Sequence, residues 1–243
     1  MRTEIITIWK KDFISLFYSR QAYFLIAIYL VLSMVATFWS GGYFQIDNTS
    51  LLSFFIYQPE LFIIIVPALA MRLWADERRY GTIELLLTQP VRPLSVVLGK
   101  FLSAWSFCLL LLFLTCPLWK TTSLYIKTDN LHIMINYIGC FLAAGFLCGI
   151  SCCISSFCSG PISAYILAVF FCAVVKQMNF DYFLKPLGSS GELLQKIAQS
   201  LNFDAHYYHI LQGQLGINNI MFFGVSIIVF LRFNSIAVDY KRG

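Results

Sequence analysis

Residues 133–157 read IMINYIGCFLAAGFLCGISCCISSF and contain no charged side chain. A helix needs about 20 mainly apolar residues to cross the hydrocarbon core of a bilayer. Five further apolar runs approach that length, although the last two are shorter than the others. The six predicted spans cover residues 22–39, 54–73, 96–118, 133–157, 162–175 and 217–231. The sequence therefore predicts an all-α integral membrane protein with six transmembrane helices.

The composition of the whole chain supports the same class. Of its 243 residues, 59% are hydrophobic and 12% are charged, whereas soluble domains average about 45–50% and 25%. Too few charged side chains remain to cover a soluble globule of this size, which excludes a soluble enzyme. The net charge of +5 comes from basic residues that stand singly or in pairs. It therefore indicates membrane topology and not nucleic-acid binding. We expect one transmembrane domain over residues 1–243.

Lys and Arg residues concentrate on one side of this arrangement. Of the 17 Lys and Arg residues, four lie in the N-terminal segment, five in the connection between spans two and three, and three in the C-terminal tail. Cytoplasmic loops carry an excess of Lys and Arg. We therefore expect both termini inside the cell and the long connection 176–216 outside.

Residues 1–20, before the first span, have an amphipathic pattern. Their apolar side chains recur at helical spacing, while Thr3, Thr7, Lys11 and Ser15 fall on the opposite face. This pattern predicts a helix in the inner interface of the membrane. The alternative is a simple cytoplasmic extension of the first span. The apolar positions are Ile5, Ile8, Trp9, Phe13, Leu16 and Phe17.

The densest cluster of polar and turn-forming residues lies in segment 76–95. We expect the helix that leaves span two to be interrupted at Gly81, and a new helix to begin with Thr82 as its N-cap. Glu84 suits the positive end of that helix dipole, and Pro90 ends the helix after about two turns. The sequence thus predicts a short amphipathic helix beneath two spans. Its defining residues are Asp76, Glu77, Arg78, Arg79, Gly81, Thr82, Glu84 and Pro90.

Residues 77–101, ERRYGTIELLLTQPVRPLSVVLGKF, also resemble a known family. They are similar to permease subunits of ABC exporters of the second type, and most similar to gliding-motility-associated permeases. In that family an acidic residue, basic residues, Gly-Thr, a further Glu, a Leu run and Pro precede a Gly-Lys at the head of span three. Residues 155–163 depart from the family pattern because they carry no charge.

The resemblance implies a permease in a bacterial inner membrane. In this family the short cytoplasmic helix docks in a separate ABC ATPase subunit, which here places ATPase coupling on the eight residues of segment 76–95 named above. The working unit would contain a second permease copy, identical or related, and two ATPases. ATP and Mg²⁺ would bind the ATPase, so that this chain has no cofactor of its own. The transported substrate is not implied.

The chain agrees with that division of labour. A phosphate-binding loop needs G-x-x-x-x-G-K-[ST], because backbone amides and the lysine surround the phosphates. The only Gly-Lys pair, Gly99-Lys100, is followed by Phe101 and opens an apolar run. We therefore expect this chain not to be an enzyme.

Two residues inside span two are candidates for a transport pathway. Glu60 is the only carboxylate within a predicted span, and intramembrane ionisable groups are costly and often functional. Its alternative role is contact with lipid headgroups at the outer end of the span. Pro67 is expected to kink the helix, with gating as the alternative role.

Metal binding is the weaker interpretation of the cysteine pattern. Cys148 and Cys152 could hold a soft metal such as Cu(I), but with Gly145 and Gly149 they form a small-residue stripe that favours close helix packing. We expect no metal site.

Two other functional classes were weighed. A stand-alone ion-coupled transporter or channel would favour charges at mid-membrane or an inverted repeat. An intramembrane enzyme would need a catalytic motif that the sequence lacks.

Overall fold

The computed structural model describes residues 2–40, 51–79, 81, 92–125, 129–158, 160–177 and 202–240. Within these ranges the chain is mainly helical. The helices are α1 (Arg2–Tyr18), α2 (Arg20–Val35, continued by a π-helical turn, Ala36–Ser40), α3 (Leu52–Arg79), α4 (Pro93–Leu114), α5 (Cys116–Tyr125), α6 (Asn130–Phe157), α7 (Pro161–Gln177), α8 (Phe203–Leu211) and α9 (Ile217–Tyr240).

Five segments of the described chain are long and apolar enough to cross a membrane. The prediction of an all-α membrane protein is therefore confirmed, while the sixth span stays a prediction because α7, with 17 residues, is shorter. The five segments are Arg20–Trp39, Leu52–Trp74, Pro93–Ser123, Asn130–Phe157 and Ile217–Asp239.

Local sequence signals explain several helix ends. Asp129 caps α6, since its side chain accepts a hydrogen bond from the backbone N–H of Leu131 at 3.0 Å. Asn202 caps α8 in the same way through Asp204 N–H, also at 3.0 Å. Pro93 stands at the start of α4, where its missing N–H is harmless.

Helix α6 lies at the centre of the bundle and packs against α3, α4, α7 and α9. Its glycines permit close approach. A Cβ at Gly145 would lie 2.8 Å from Nε1 of Trp105, and one at Gly149 would lie 3.5 Å from Cβ of Phe230. The small-residue stripe predicted on this helix is thus a packing surface.

The structure differs from the predicted third and sixth spans. The third was expected as one helix over 96–118, but α4 and α5 are separated at Thr115. Pro117 supplies the reason: it has no N–H to continue the α4 ladder and it fits the first turn of a new helix. The last helix, α9, continues to Tyr240, nine residues beyond the predicted end at Leu231.

Helix α1 has the predicted amphipathic character. Ile8, Phe13, Leu16 and Phe17 pack against the core, and the four opposite positions are exposed. The helix runs alongside α4, so that Phe17 lies 6.0 Å from Phe107, measured between ring centroids. Its depth in the bilayer stays a prediction.

Candidate functional site

Lys100 connects three helices at the end of the bundle where residues 80–91 link α3 to α4. Its side chain is buried, and Nζ donates a 2.7 Å hydrogen bond to the carbonyl oxygen of Leu73 in α3. The same atom lies 3.7 Å from Oδ2 of Asp12 in α1, an ion-pair distance that is too long for a hydrogen bond. It also lies 5.1 Å from the ring centroid of Trp74. A buried ammonium needs such partners because they replace its water. Lys100 therefore holds α1, α3 and α4 in one arrangement.

The neighbouring residue makes the contact between α1 and α4 close. A Cβ at Gly99 would lie 2.7 Å from Cγ2 of Ile8, so only glycine fits without a shift of α1. About two turns further along α4, Ser106 Oγ accepts a 2.9 Å hydrogen bond from Nε1 of Trp9, the residue after Ile8. The Gly99-Lys100 pair thus anchors α1 both by shape and by charge.

The first turn of α1 also lies beside the start of α4. The pKa of Glu4 is lowered from its ordinary value, chiefly by the neighbouring Ser95 hydroxyl and to a smaller degree by the charge of Arg92. Arg92 is the residue immediately before α4. The first turn of the N-terminal helix therefore lies near the point where segment 76–95 rejoins the bundle.

Helix α6 reaches the same end of the bundle. Ser155 Oγ donates to the carbonyl oxygen of Met71 at 3.3 Å, two residues before the carbonyl that Lys100 binds. Four helices therefore meet around the last turns of α3.

Segment 76–95 is described only at its two ends. Helix α3 ends at Arg79, and Gly81 is exposed with φ of 68°, a left-handed conformation that glycine adopts at little cost. The predicted interruption is therefore present. Asp76, Glu77, Arg78 and Arg79 belong to the last turn of α3. Thr82, Glu84 and Pro90, with the short helix predicted there, lie outside the described residues. Pro93, three residues after Pro90, is the first residue of α4.

Glu60 lies at the opposite end of the bundle and has an ion-pair partner. Its Oε1 accepts a 2.9 Å hydrogen bond from Nζ of Lys176 at the end of α7. The Glu60 side chain is 56% exposed, so this contact stabilises the fold by at most about 1 kcal/mol. Asp204 of α8 is close to both charges. Burial raises the pKa of Asp204, an effect that Lys176 reduces and Glu60 reinforces.

A buried hydrogen bond joins α8 to α3 near the same end. Pro59 has no N–H, which leaves the carbonyl of Phe55 without its usual helical donor. The hydroxyl of Tyr207 donates to that oxygen at 2.6 Å. One turn away, the Tyr29 hydroxyl of α2 donates to Oε1 of Gln58 at 2.8 Å. Pro67, the other predicted pathway residue, also lies within α3, and the helix continues through it.

The titratable residues of the described chain form no metal centre. No group of three His, Cys, Asp or Glu side chains is close enough to share an ion there. All eight cysteines are free thiols. His206 has a local polar partner, because its Nδ1 lies 2.8 Å from Oδ1 of Asn219. These groups serve packing and local hydrogen bonding.

Sequence reasoning missed the ion pair between Asp12 and Lys100 and the bond from Tyr207 to Phe55. Two signals were present. Lys100 lies inside an otherwise apolar stretch, and Pro59 must free a carbonyl four residues earlier. Neither signal identifies the partner, because each partner lies on an element distant in sequence.

No protein-family model matches the chain, and no curated protein matches it significantly. The resemblance of residues 77–101 to exporter permeases therefore rests on the motif itself.

Proposed function

We propose that the chain is the transmembrane permease subunit of an ATP-driven exporter in a bacterial inner membrane. It acts with a second permease copy, and a separate ABC ATPase docks on segment 76–95. The motif in residues 77–101 and the all-α membrane fold support this proposal. Both termini are cytoplasmic in this arrangement, and the translocation pathway forms between the two permeases.

The observation that carries the proposal is the position of Lys100. It lies about two turns inside α4, seven residues after Pro93, and it binds the carbonyl of Leu73, six residues before the end of α3. Both helices that lead into the segment are thus fixed to each other and to Asp12 of α1. A displacement of the segment by a partner would move three helices together and would not be absorbed by a loose loop.

Coupling through segment 76–95 works only if the ATPase binds the segment with different affinity in two conformations of the permease. A partner shifts a conformational equilibrium by no more than its difference in affinity for the two conformations. ATP-driven closure of the ATPase would supply that difference. The spans attached to α1, α3 and α4 would then change between inward-open and outward-open or closed arrangements.

Charge reversal in the segment tests the proposal. We expect Glu84→Lys and Arg79→Glu to weaken co-purification of the ATPase or to uncouple its turnover from transport. Arg232→Glu is the matched control, because Arg232 is exposed on α9 and lies outside the segment. Wild-type ATPase binding and turnover in both segment variants would refute the docking role. Transport that persists without any ATPase would favour a stand-alone ion-coupled transporter or channel.

Gly81→Val tests the geometry of the segment separately. A β-branched residue is strained at φ of 68° although an added Cβ there meets no atom within 4 Å. We expect normal membrane insertion with reduced ATPase binding. Normal binding would show that the direction of the chain at Gly81 is unimportant for docking.

A further inference from the structure

A groove of about 320 Å³ lies between α6 and the unit formed by α4 and α5. It opens away from the bundle, because Leu109 and Phe113 on its walls are 51% and 70% exposed. Its floor is apolar and aromatic. The side chains that matter here are Leu109, Phe113, Cys116, Trp119, Tyr137 and Ile138.

The break between α4 and α5 lies beside this groove, where Tyr137 is the lining residue that carries a hydroxyl. Thr115, at the break, donates its hydroxyl to the carbonyl of Leu112 at 2.7 Å. The Tyr137 hydroxyl lies 3.2 Å from the same Thr115 oxygen. The Tyr137 hydroxyl is therefore engaged with the buried Thr115, and the Tyr137 ring is left to contact whatever fills the groove.

The length of the groove matches one leaflet of a bilayer. From Leu109 to Trp119 the chain rises about 15 Å at 1.5 Å per residue, which is half of a hydrocarbon core of roughly 30 Å. Trp119 lies four residues before the end of the apolar segment Pro93–Ser123. Its Nε1 donates to Oδ1 of Asn130 at 3.2 Å. The groove thus runs from the middle of the membrane to a polar rim.

A positive charge stands at that rim. Lys120 is exposed and follows the groove residue Cys116 by four positions on α5, so the two lie on one face of the helix. Its ammonium group is suited to a phosphate ester in the headgroup layer. An unfilled groove would also forfeit the dispersion contacts of its aromatic lining.

We infer that this groove binds one acyl chain of an anionic phospholipid, with Lys120 beside the headgroup phosphate. The lipid comes from the leaflet opposite segment 76–95. This binding site is independent of the exporter proposal, since it requires only that the bundle lies in a membrane.

Photolabelling of the full chain in lipid nanodiscs tests the inference. The probe is a phosphatidylglycerol that carries a diazirine in the middle of one acyl chain, and labelled residues are mapped by mass spectrometry. We expect the label to concentrate on Phe113, Cys116 and Ile138. Ile162 and Phe170 of α7 are 73% and 61% exposed, so they provide the reference for labelling by bulk lipid.

Three variants sharpen the test. Ile138→Trp fills the groove and should reduce its labelling to the level of the α7 reference, whereas Ile166→Trp on the exposed face of α7 should leave groove labelling unchanged. Lys120→Gln should remove the preference for phosphatidylglycerol over phosphatidylcholine without moving the labelled positions. Unchanged labelling of α7 in the Ile138→Trp and Lys120→Gln variants reports that the bundle is intact.

Three outcomes would overturn the inference. The first is equal labelling of the groove and α7 in the wild-type chain, which needs no variant. The second is groove labelling that survives Ile138→Trp. The third is an unlabelled groove in a chain that cross-links to a second copy through the groove residues. That result would assign the surface to a protein interface.

Discussion

Replacement of Lys100 by Met removes the ammonium group and keeps most of the apolar stem. The carbonyl of Leu73 then loses a charged donor, and the carboxylate of Asp12 loses the cation 3.7 Å away. We expect this variant to be less stable than the wild-type chain and its α1 helix to separate from α4 more readily.

The contacts set the size of the effect. Hydrogen bonds to charged groups contribute about 1.5–3 kcal/mol, and removal of one partner from a buried ion pair costs about 3–5 kcal/mol. The Asp12 side chain keeps 15% exposure, so water replaces part of what it loses. We therefore expect Lys100→Met to lower the free energy of unfolding by roughly 3 kcal/mol. The double variant with Asp12→Leu should recover most of this loss, because no unpaired carboxylate remains.

Unfolding by sodium dodecyl sulfate in mixed micelles, followed by circular dichroism, measures these free energies. The cycle of Lys100→Met, Asp12→Leu and the double variant should give a coupling energy of about 1–3 kcal/mol. Lys10→Met is the control and should change stability by less than about 0.5 kcal/mol, since that side chain is exposed. Effects that add within about 0.5 kcal/mol would show that the ion pair does not hold α1 to α4.

Three further substitutions test other contacts by the same unfolding measurement. Gly99→Ala should destabilise the protein by about 1–3 kcal/mol, because its Cβ would lie 2.7 Å from an atom of α1. Gly224→Ala is the control and should cause no loss of stability, since its Cβ would meet no atom within 4 Å. Equal effects of the two substitutions would contradict the close packing at Gly99. Tyr207→Phe should lower the free energy of unfolding by about 1–3 kcal/mol, because the carbonyl of Phe55 loses its donor. The same substitution should be nearly neutral in a Pro59→Ala background, where the restored N–H satisfies that carbonyl. An undiminished loss in that background would contradict this explanation. Lys176→Gln should cost at most about 1 kcal/mol and less at high salt, because its partner is 56% exposed; a larger, salt-independent loss would point to a different role.

The sequence predicts most helices because apolar length alone decides whether a segment can cross a bilayer. It also predicts the small-residue surface of α6, since residues such as Gly145 leave room for a neighbour. The partners of buried polar groups were not predictable. Tyr207 and Phe55 are 152 positions apart, and only the packing of α8 on α3 brings them together. The break at Thr115 was missed because Pro117 was counted within an apolar run.

The same distinction applies to the site. Segment 76–95 is recognisable by its charges, its Gly81 and its prolines, all of which are local signals. The contribution of Lys100 is not local, since it depends on the burial of its ammonium against Leu73 and Asp12. A basic residue at the head of a span normally indicates topology. Here it also serves as a structural contact among three helices.

Helix α3 connects the two polar ends of the bundle, and its contacts determine how a movement at segment 76–95 would spread. One end is held by Lys100, and the other by Tyr207 and by the ion pair of Glu60. A regular helix held at both ends transmits a push along its axis with little bending. Pro67 lies between the two sets of contacts and interrupts the ladder of backbone hydrogen bonds there. Bending of α3 would therefore concentrate at Pro67, which lets the end bound by Lys100 move while the end bound by Tyr207 stays in place.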